Sequence, residues 1–210
     1  GYDRLVINGE EEAPDFNTAH SNINSEWAWL ENTGGIVFLQ SGSFEYIREK
    51  QTEAPCFMRI TLNHGTRPKA EKYAYIILPN ASENETKAYS ENGGISVLEQ
   101  SEQIHLIYDK ENDIYAFNLF SGTYSIGGFT FKAPCSAIIN KNNSTVCISD
   151  PTLSAKDITV ACGSGIKIAP SASYESDGSA AEISTLSRPG KTTVINYKEE
   201  GAASDNSEKK

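Results

Sequence analysis

The 210-residue sequence predicts an all-β chain made of antiparallel β-sandwich layers, and three observations carry that expectation. Apolar runs of about five to nine residues recur along the chain. Gly, Asn, Asp and Pro punctuate them at short intervals. No stretch holds the apolar period of a helix longer than about two turns. Alternation of this kind buries one face of a sheet and leaves the other wet.

Taken in order, YDRLVING (2–9) is a short strand closed by an Asn-Gly turn signal, and the acidic EEEAPDF after it reads as loop. In SEWAWLEN, Trp27 and Trp29 stand two apart and share one strand face. Asn32-Thr33-Gly34-Gly35 is a turn and IVFLQ a compact buried strand. Ser41-Gly42-Ser43 turns the chain again, and FEYIREK is a strand or a short helical turn. FMRITL and YAYIILP are a hairpin-like pair of strands around a polar loop, punctuated by His64-Gly65 and Arg67-Pro68. Tyr73 and Tyr75 share one face of the second strand, and core packing is the expected role for them.

The polar stretch Asn80 to Gly94 breaks the composition, which sets a domain boundary after residue 86. Residues 87–199 then read as a smaller β-sandwich: ISVLEQ, QIHLIYD, IYAFNLF, YSIGGFTFK, SAIINK, TVCISD, ITVACG and TTVINY. Turns fall at Glu111-Asn112-Asp113, Lys141-Asn142-Asn143 and Asp150-Pro151, while Ala169 to Ser179 is a loop or irregular hairpin connection. Residues 200–210, with no apolar residue beyond alanine, are expected to be a disordered tail.

The formal charge of −10 argues against nucleic acid and anionic membrane as partners. Residues 1–86 hold 7 Lys and Arg against 13 Asp and Glu, leaving 11 against 15 of the chain's 18 and 28 for the remainder. Neither part is a ready-made cleft for a polyanion. The N-terminus GYDRLVING lacks the pattern of a signal peptide. Cys56, Cys135, Cys147 and Cys162 form no C-x-x-C pair and the three histidines are scattered, so no zinc site or cofactor is expected. Disulfides are open by count, and buried free thiols are the simpler reading. Asp109, Glu111, Asn112 and Asp113 do not have EF-hand spacing and read as a plain turn.

Four places carry a resemblance to a known family. WAWLENTGGIVFL (27–39) resembles a tryptophan, short turn and G-Y-V-F strand, with Ile36 where an aromatic is usual. Ser41 to Phe44 resembles an R-x-G-x-W-x-x-I-N segment that has lost its Arg, Trp and Asn. Asn63-His64-Gly65 and Tyr73 to Asn80 resemble D-H-G and Y-A-Y-x-L-L-P, and Cys147 to Leu153 resembles an element around S-D-P-T-Q. In this order, the motifs resemble polysaccharide lyase family 8, which contains hyaluronate, chondroitin AC and xanthan lyases.

The resemblance implies the last strands of a central super-sandwich over residues 1–86 and a complete C-terminal β-sandwich over 87–199. It also implies an extracellular or periplasmic bacterial protein, monomeric, acting on uronic-acid-containing polysaccharides by β-elimination. That chemistry needs a base for the C5 proton, a group to neutralise the uronate carboxylate and an acid at the glycosidic oxygen. In the family those roles belong mainly to Asn, His, Tyr and Arg of a preceding α/α-toroid. The resemblance therefore implies an upstream catalytic domain as partner and no catalytic residue here.

His64, placed at a strand-to-loop corner, is expected to be structural, with Gly65 at positive φ and Pro68 stiffening the turn. The candidates for contact with an acidic polysaccharide are Trp27 and Trp29, set in polar sequence, and the basic residues Arg67, Lys69 and Lys72. A different class, an independent carbohydrate-binding β-sandwich module, fits the same composition.

Overall fold

The computed structural model describes residues 4–23, 25–40, 43–49, 57–132, 134–154, 157–184 and 190–200. The chain divides into two compact units, Gly1–Gly94 and Ile95–Lys210. The Ser41-Gly42 turn, Cys56 and the tail 201–210 lie outside the described residues.

Unit 1 contains β1 (Leu5–Ile7), β2 (Glu10–Glu12), β3 (Ala19–Ile23), β4 (Trp27–Leu30), β5 (Gly34–Phe38), β6 (Ser43–Glu49), β7 (Phe57–Leu62), β8 (Tyr75–Pro79) and one helix, α1 (Glu83–Asn92). A five-stranded sheet runs β2-β1-β4-β5-β8, and a three-stranded sheet runs β3-β6-β7. All their pairings are antiparallel. The Asn8-Gly9 turn has both residues at positive φ, 51° and 89°, as a two-residue hairpin requires. That hairpin makes a strand of Glu10–Glu12, in the acidic stretch expected to be loop.

Side-chain alternation splits unit 1 into two apolar layers. Leu5, Ile7, Ala28 and, partly buried, Ile36 and Phe38 face Phe44, Tyr46, Met58, Ile60 and Leu62 of the smaller sheet. Val6, Trp27, Val37, Trp29, Ile76 and Leu78 point the other way and gather with Tyr89 of α1. The five-stranded sheet is therefore covered on both faces, by a sheet and by a helix.

The helix, ten residues long, exceeds the two turns expected anywhere in the chain, and the boundary drawn after residue 86 falls inside it. Its start is a capping box: Glu85 N–H donates to Ser82 Oγ at 3.3 Å, and Ser82 N–H donates to Glu85 Oε2 at 2.7 Å. The Ser82 backbone N–H and then the Ser82 hydroxyl, both donating to Glu85 Oε2, hold the Glu85 carboxyl below the usual carboxylate range. Glu83 and Glu85 also place negative charge in the first turn, where the helix dipole favours it. The sequence signal was Ser-x-x-Glu. Only Thr86 of the helix is fully buried, so no apolar stripe announces it.

FMRITL and YAYIILP do not pair with one another. β7 is the edge strand beside β6 in the three-stranded sheet, and β8 is the edge strand beside β5 in the five-stranded one. The loop 63–74 thus crosses between two layers, and among the described residues neither strand has a partner on its outer edge. Tyr75 and Ile77 of β8 stay exposed, as does Phe57 on the outer face of β7. Beside them opens an apolar cleft of about 240 Å³ lined by Leu5, Leu30, Ile36, Met58, Ile60 and Ile77.

Unit 2 contains β9 (Ile95–Gln100), β10 (Ile104–Asp109), β11 (Ile114–Leu119), β12 (Thr123–Ile126), β13 (Phe129–Lys132), β14 (Cys135–Asn140), β15 (Thr145–Ser149), β16 (Ile158–Cys162), β17 (Ile166–Ile168), β18 (Glu175–Ser176), β19 (Ala180–Ile183) and β20 (Thr193–Glu199). A seven-stranded sheet, β17-β20-β15-β14-β11-β10-β9, faces a five-stranded one, β12-β13-β16-β19-β18. YSIGGFTFK, read as one strand, is the β12–β13 hairpin, because Gly127 and Gly128 at φ 62° and 88° reverse the chain.

Between the sheets Leu106, Phe117, Ile139, Val146, Ile148 and Ile195 meet Phe129, Phe131, Ile158, Val160 and Ile183. Phe117 and Phe131 pack edge-to-face, centroids 4.8 Å apart. Each of these fully buried large apolar side chains contributes about 1.5–3 kcal/mol.

Candidate functional site

The structure separates the residues that the sequence grouped as glycan contacts. Trp27 is only 4% exposed and lies on the face covered by α1, where it packs with Val6 and Val37. Trp29 is half-buried on that face, and its indole N–H donates to the carbonyl of Ala81 at 2.7 Å, just before the helix. The Arg4 guanidinium stands 6.0 Å from the Trp29 ring centre. The tryptophans share a face as expected, but that face is packing surface: Trp27 has no ring left to offer a sugar.

Arg67, Lys69 and Lys72 are exposed on loop 63–74. The same loop and the start of β8 carry aromatics that the sequence assigned to the core. Tyr73 is 54% and Tyr75 43% exposed, with ring centres 6.2 Å apart and planes within 16° of parallel. The His64 imidazole lies 5.7 Å from the Tyr73 ring. Tyr75 pairs in register with Phe38 on the sandwich side of the sheet, but the three-stranded sheet does not cover it there.

The loop's conformation is fixed locally. The Gly65 N–H donates to Asn63 Oδ1 at 2.8 Å, and Gly65 has φ 75°, the role expected of it at this corner. Among the described residues none of Arg67, Lys69 and Lys72 enters an ion pair. Arg59 is different, with its guanidinium 2.6 Å from a Glu49 carboxylate oxygen.

Other titratable groups are tied into the framework. His20 stacks on Tyr46 at 5.4 Å, and Tyr46 donates to Glu12 Oε2 at 2.8 Å. Burial, reinforced by that carboxylate, pushes the Tyr46 hydroxyl up to about 12. His105 is exposed and meets Phe120 edge-on at 5.0 Å. Asp109 accepts the N–H groups of Glu111 and Asn112 at 3.1 and 3.2 Å, which makes the β10–β11 connection a turn closed on itself.

Asp150, at the heart of the Ser-Asp-Pro-Thr motif, is 2% exposed. It accepts from Thr152 N–H at 2.8 Å, Thr152 Oγ1 at 2.6 Å and Ser154 N–H at 3.0 Å. Those bonds, from Thr152 first, hold its carboxyl below the ordinary Asp value. The motif is a structural turn. Cys135, Cys147 and Cys162 are free thiols, and burial raises Cys135 to about 12.

Unit 2 has a polar cleft of about 600 Å³ whose charged lining is Asp157, Glu175, Glu182 and Lys191. Glu175 and Glu182 stand directly opposite one another on β18 and β19. Three carboxylates and one ammonium make this an unwelcoming place for an anionic ligand. Among the described residues no three His, Cys, Asp or Glu side chains converge to hold a metal ion. No helix among them is long and apolar enough to cross a membrane.

Two antiparallel layered units in this order define a class of protein, and comparison with known families supplies it. Residues 2–90 match the polysaccharide lyase family 8 super-sandwich domain, and residues 96–159 match the polysaccharide lyase family 8 C-terminal beta-sandwich domain. The chain belongs to polysaccharide lyase family 8.

It is 28% identical over 150 residues to hyaluronate lyase HylB of Enterococcus faecalis, covering 67% of this chain and 15% of that protein. It is 24% identical over 180 residues to chondroitin sulfate ABC exolyase of Bacteroides thetaiotaomicron, covering 80% of this chain and 17% of the relative. A Paenibacillus xanthan lyase structure superposes with TM-score 0.75 at 17% identity, over 95% of this chain and 22% of that one. A Streptomyces coelicolor A3 chondroitin AC lyase structure in complex with chondroitin sulphate gives TM-score 0.60 at 17% identity, over 91% and 28%. These structural likenesses speak for the fold. The chain spans less than a third of each of these proteins.

Proposed function

We propose that this chain is the non-catalytic β portion of a secreted bacterial lyase that degrades uronic-acid-containing polysaccharides by β-elimination. Its two units support a catalytic domain that lies upstream in the parent polypeptide. The observation that carries this reading is the pair of family matches, in order over residues 2–90 and 96–159, in a chain spanning 15% and 17% of the two lyases it resembles in sequence. The side chains agree with a supporting role: the Asp150 carboxyl, the Tyr46 hydroxyl and the Glu85 carboxyl are each committed to bonds within their own unit. The parent works as a monomer and needs from this chain neither metal nor organic cofactor.

Incubating the parent polypeptide with hyaluronan, chondroitin sulfate and xanthan tests the substrate class. Unsaturated uronate ends on at least one of them are expected, and their absence from all three would overturn it. One observation favours the second reading, an independent carbohydrate-binding module: the exposed pair Tyr73 and Tyr75. That reading requires glycan affinity to persist when the chain is severed from everything else.

A further inference from the structure

We propose that loop 63–74 with the start of β8 is a binding site for an anionic polysaccharide, in which Tyr73 and Tyr75 stack on sugar rings and Arg67, Lys69 and Lys72 pair with carboxylate or sulfate groups. The proposal rests on the family reading above and adds to it the place where this chain meets glycan.

Three features of the loop converge. First, Tyr73 and Tyr75 leave about half of their surface in water although each carries a large apolar ring. Their planes are close to parallel, and the His64 imidazole lies 5.7 Å from Tyr73, tilted by 33°. Aromatic rings left partly in water and carrying a polar tip suit the apolar faces of pyranose rings, whose hydroxyls point outward to the rim.

Second, twelve residues, 63–74, hold Arg67, Lys69 and Lys72 against the one carboxylate of Glu71, in a chain whose formal charge is −10. Because these three enter no ion pair among the described residues, their charge is available to a ligand. Arg59, by contrast, is occupied by Glu49.

Third, parts of the loop are constrained locally. The Asn63–Gly65 bond closes its first turn, and Pro68 fixes its own φ. Ala70 sits at φ 53°, in the left-handed region.

Charge decides which occupant fits. The cleft of unit 2, with its three carboxylates, would repel an acidic chain. A protein strand added to the free edge of β8 would cover Tyr75 and Ile77 but leave the three cations unmatched. A polyanion satisfies the rings and the cations together.

The test uses the 210-residue chain in affinity electrophoresis and titration calorimetry with chondroitin sulfate, hyaluronan and neutral dextran at two salt concentrations. Expected is retention by the two anionic glycans and none by dextran, weakening as salt rises. The triple variant Arg67→Gln, Lys69→Gln, Lys72→Gln should bind about tenfold more weakly and lose most of the salt dependence. Tyr73→Ala and Tyr75→Ala should each weaken binding by about three- to tenfold. Thermal unfolding should be unchanged in the triple variant, whose side chains are exposed, and lowered by only a few degrees in the tyrosine variants, which lose ring contacts at the surface.

Three outcomes overturn the site: no binding of either anionic glycan by the unaltered chain, equal binding of dextran, or variants that bind like the unaltered chain. If the tyrosine variants bind glycan normally but abolish self-association, the face belongs to protein contact instead. A parent enzyme that still cleaves uronate polysaccharide in any of these cases leaves the family reading standing and removes only the site.

Discussion

Replacing Gly35 with alanine probes the seating of α1 on the five-stranded sheet. A Cβ built on Gly35 would overlap the Thr86 hydroxyl and methyl and stand 2.8 Å from its Cβ, inside contact distance. Gly35 is not among the positive-φ residues, so the cost is steric and not conformational. Thr86 cannot swing away cheaply. It is fully buried, and its hydroxyl donates to the Ser82 carbonyl at 2.9 Å.

Overpacking of this kind costs about 1–3 kcal/mol. For a unit of this size that lowers the melting temperature by about 4–8 °C per kcal/mol. Thr86→Ala alone forfeits a hydrogen bond and a small packing volume, about 1–2 kcal/mol. Together the two changes should cost less than their sum, because alanine at 86 removes the two atoms that overlap most. A coupling of about 1 kcal/mol or more is expected.

Urea unfolding followed by tryptophan fluorescence measures it directly. Both tryptophans of the chain, Trp27 and Trp29, lie in the layer beneath α1, so the signal reports unit 1 alone. A Gly35→Ala chain as stable as the original, or strictly additive costs in the double variant, would refute a helix packed against β4 and β5.

Two further expectations follow from the polar framework. Asp150→Ala leaves the Thr152 and Ser154 donors without their charged acceptor and should destabilise unit 2 by about 2–3 kcal/mol, read by calorimetry. In the unaltered chain the Asp150 contribution is full above the ordinary Asp value near 3.9 and fades as pH falls through its lower folded value. Acid unfolding of Asp150→Ala should therefore be less pH-dependent at that limb.

Tyr46 gives the opposite sign at the alkaline end. Its folded value of about 12 exceeds the unfolded value of about 10, so its contribution is intact below pH ~10 and is lost as pH rises toward 12. Tyr46→Phe should flatten the alkaline limb of unit 1 stability. An unchanged limb would mean that the hydroxyl ionises as freely folded as unfolded.

Much of this fold was legible along the chain because alternation is a local signal. In IHLIYD, His105 alternates with Ile104 and Leu106, which places it on the opposite, solvent face, and the structure leaves His105 exposed while burying the other two. Asn8-Gly9 announced its hairpin in the same way.

The features that were missed depend on partners far away in sequence. In α1, ENETKAYSEN carries no apolar stripe, so its only local sign was the Ser82–Glu85 box. Without the helix, the Trp27–Trp29 face looks wet when it is covered. Tyr75 looked like core because its strand is apolar on both faces. Its exposure follows from β8 lying at a sheet edge that the smaller sheet does not reach. Nothing in YAYIILP records which strand is last in the sheet.

The central claim is that these two β units support a lyase and do not perform its chemistry. The most direct measurement is the ultraviolet absorbance of unsaturated uronate ends, recorded with chondroitin sulfate and hyaluronan for the 210-residue chain and for its parent polypeptide at equal concentration. A steady rise with the parent and a flat trace with the chain alone are expected. A rise with the chain alone would put the chemistry in these two units and overturn the supporting role.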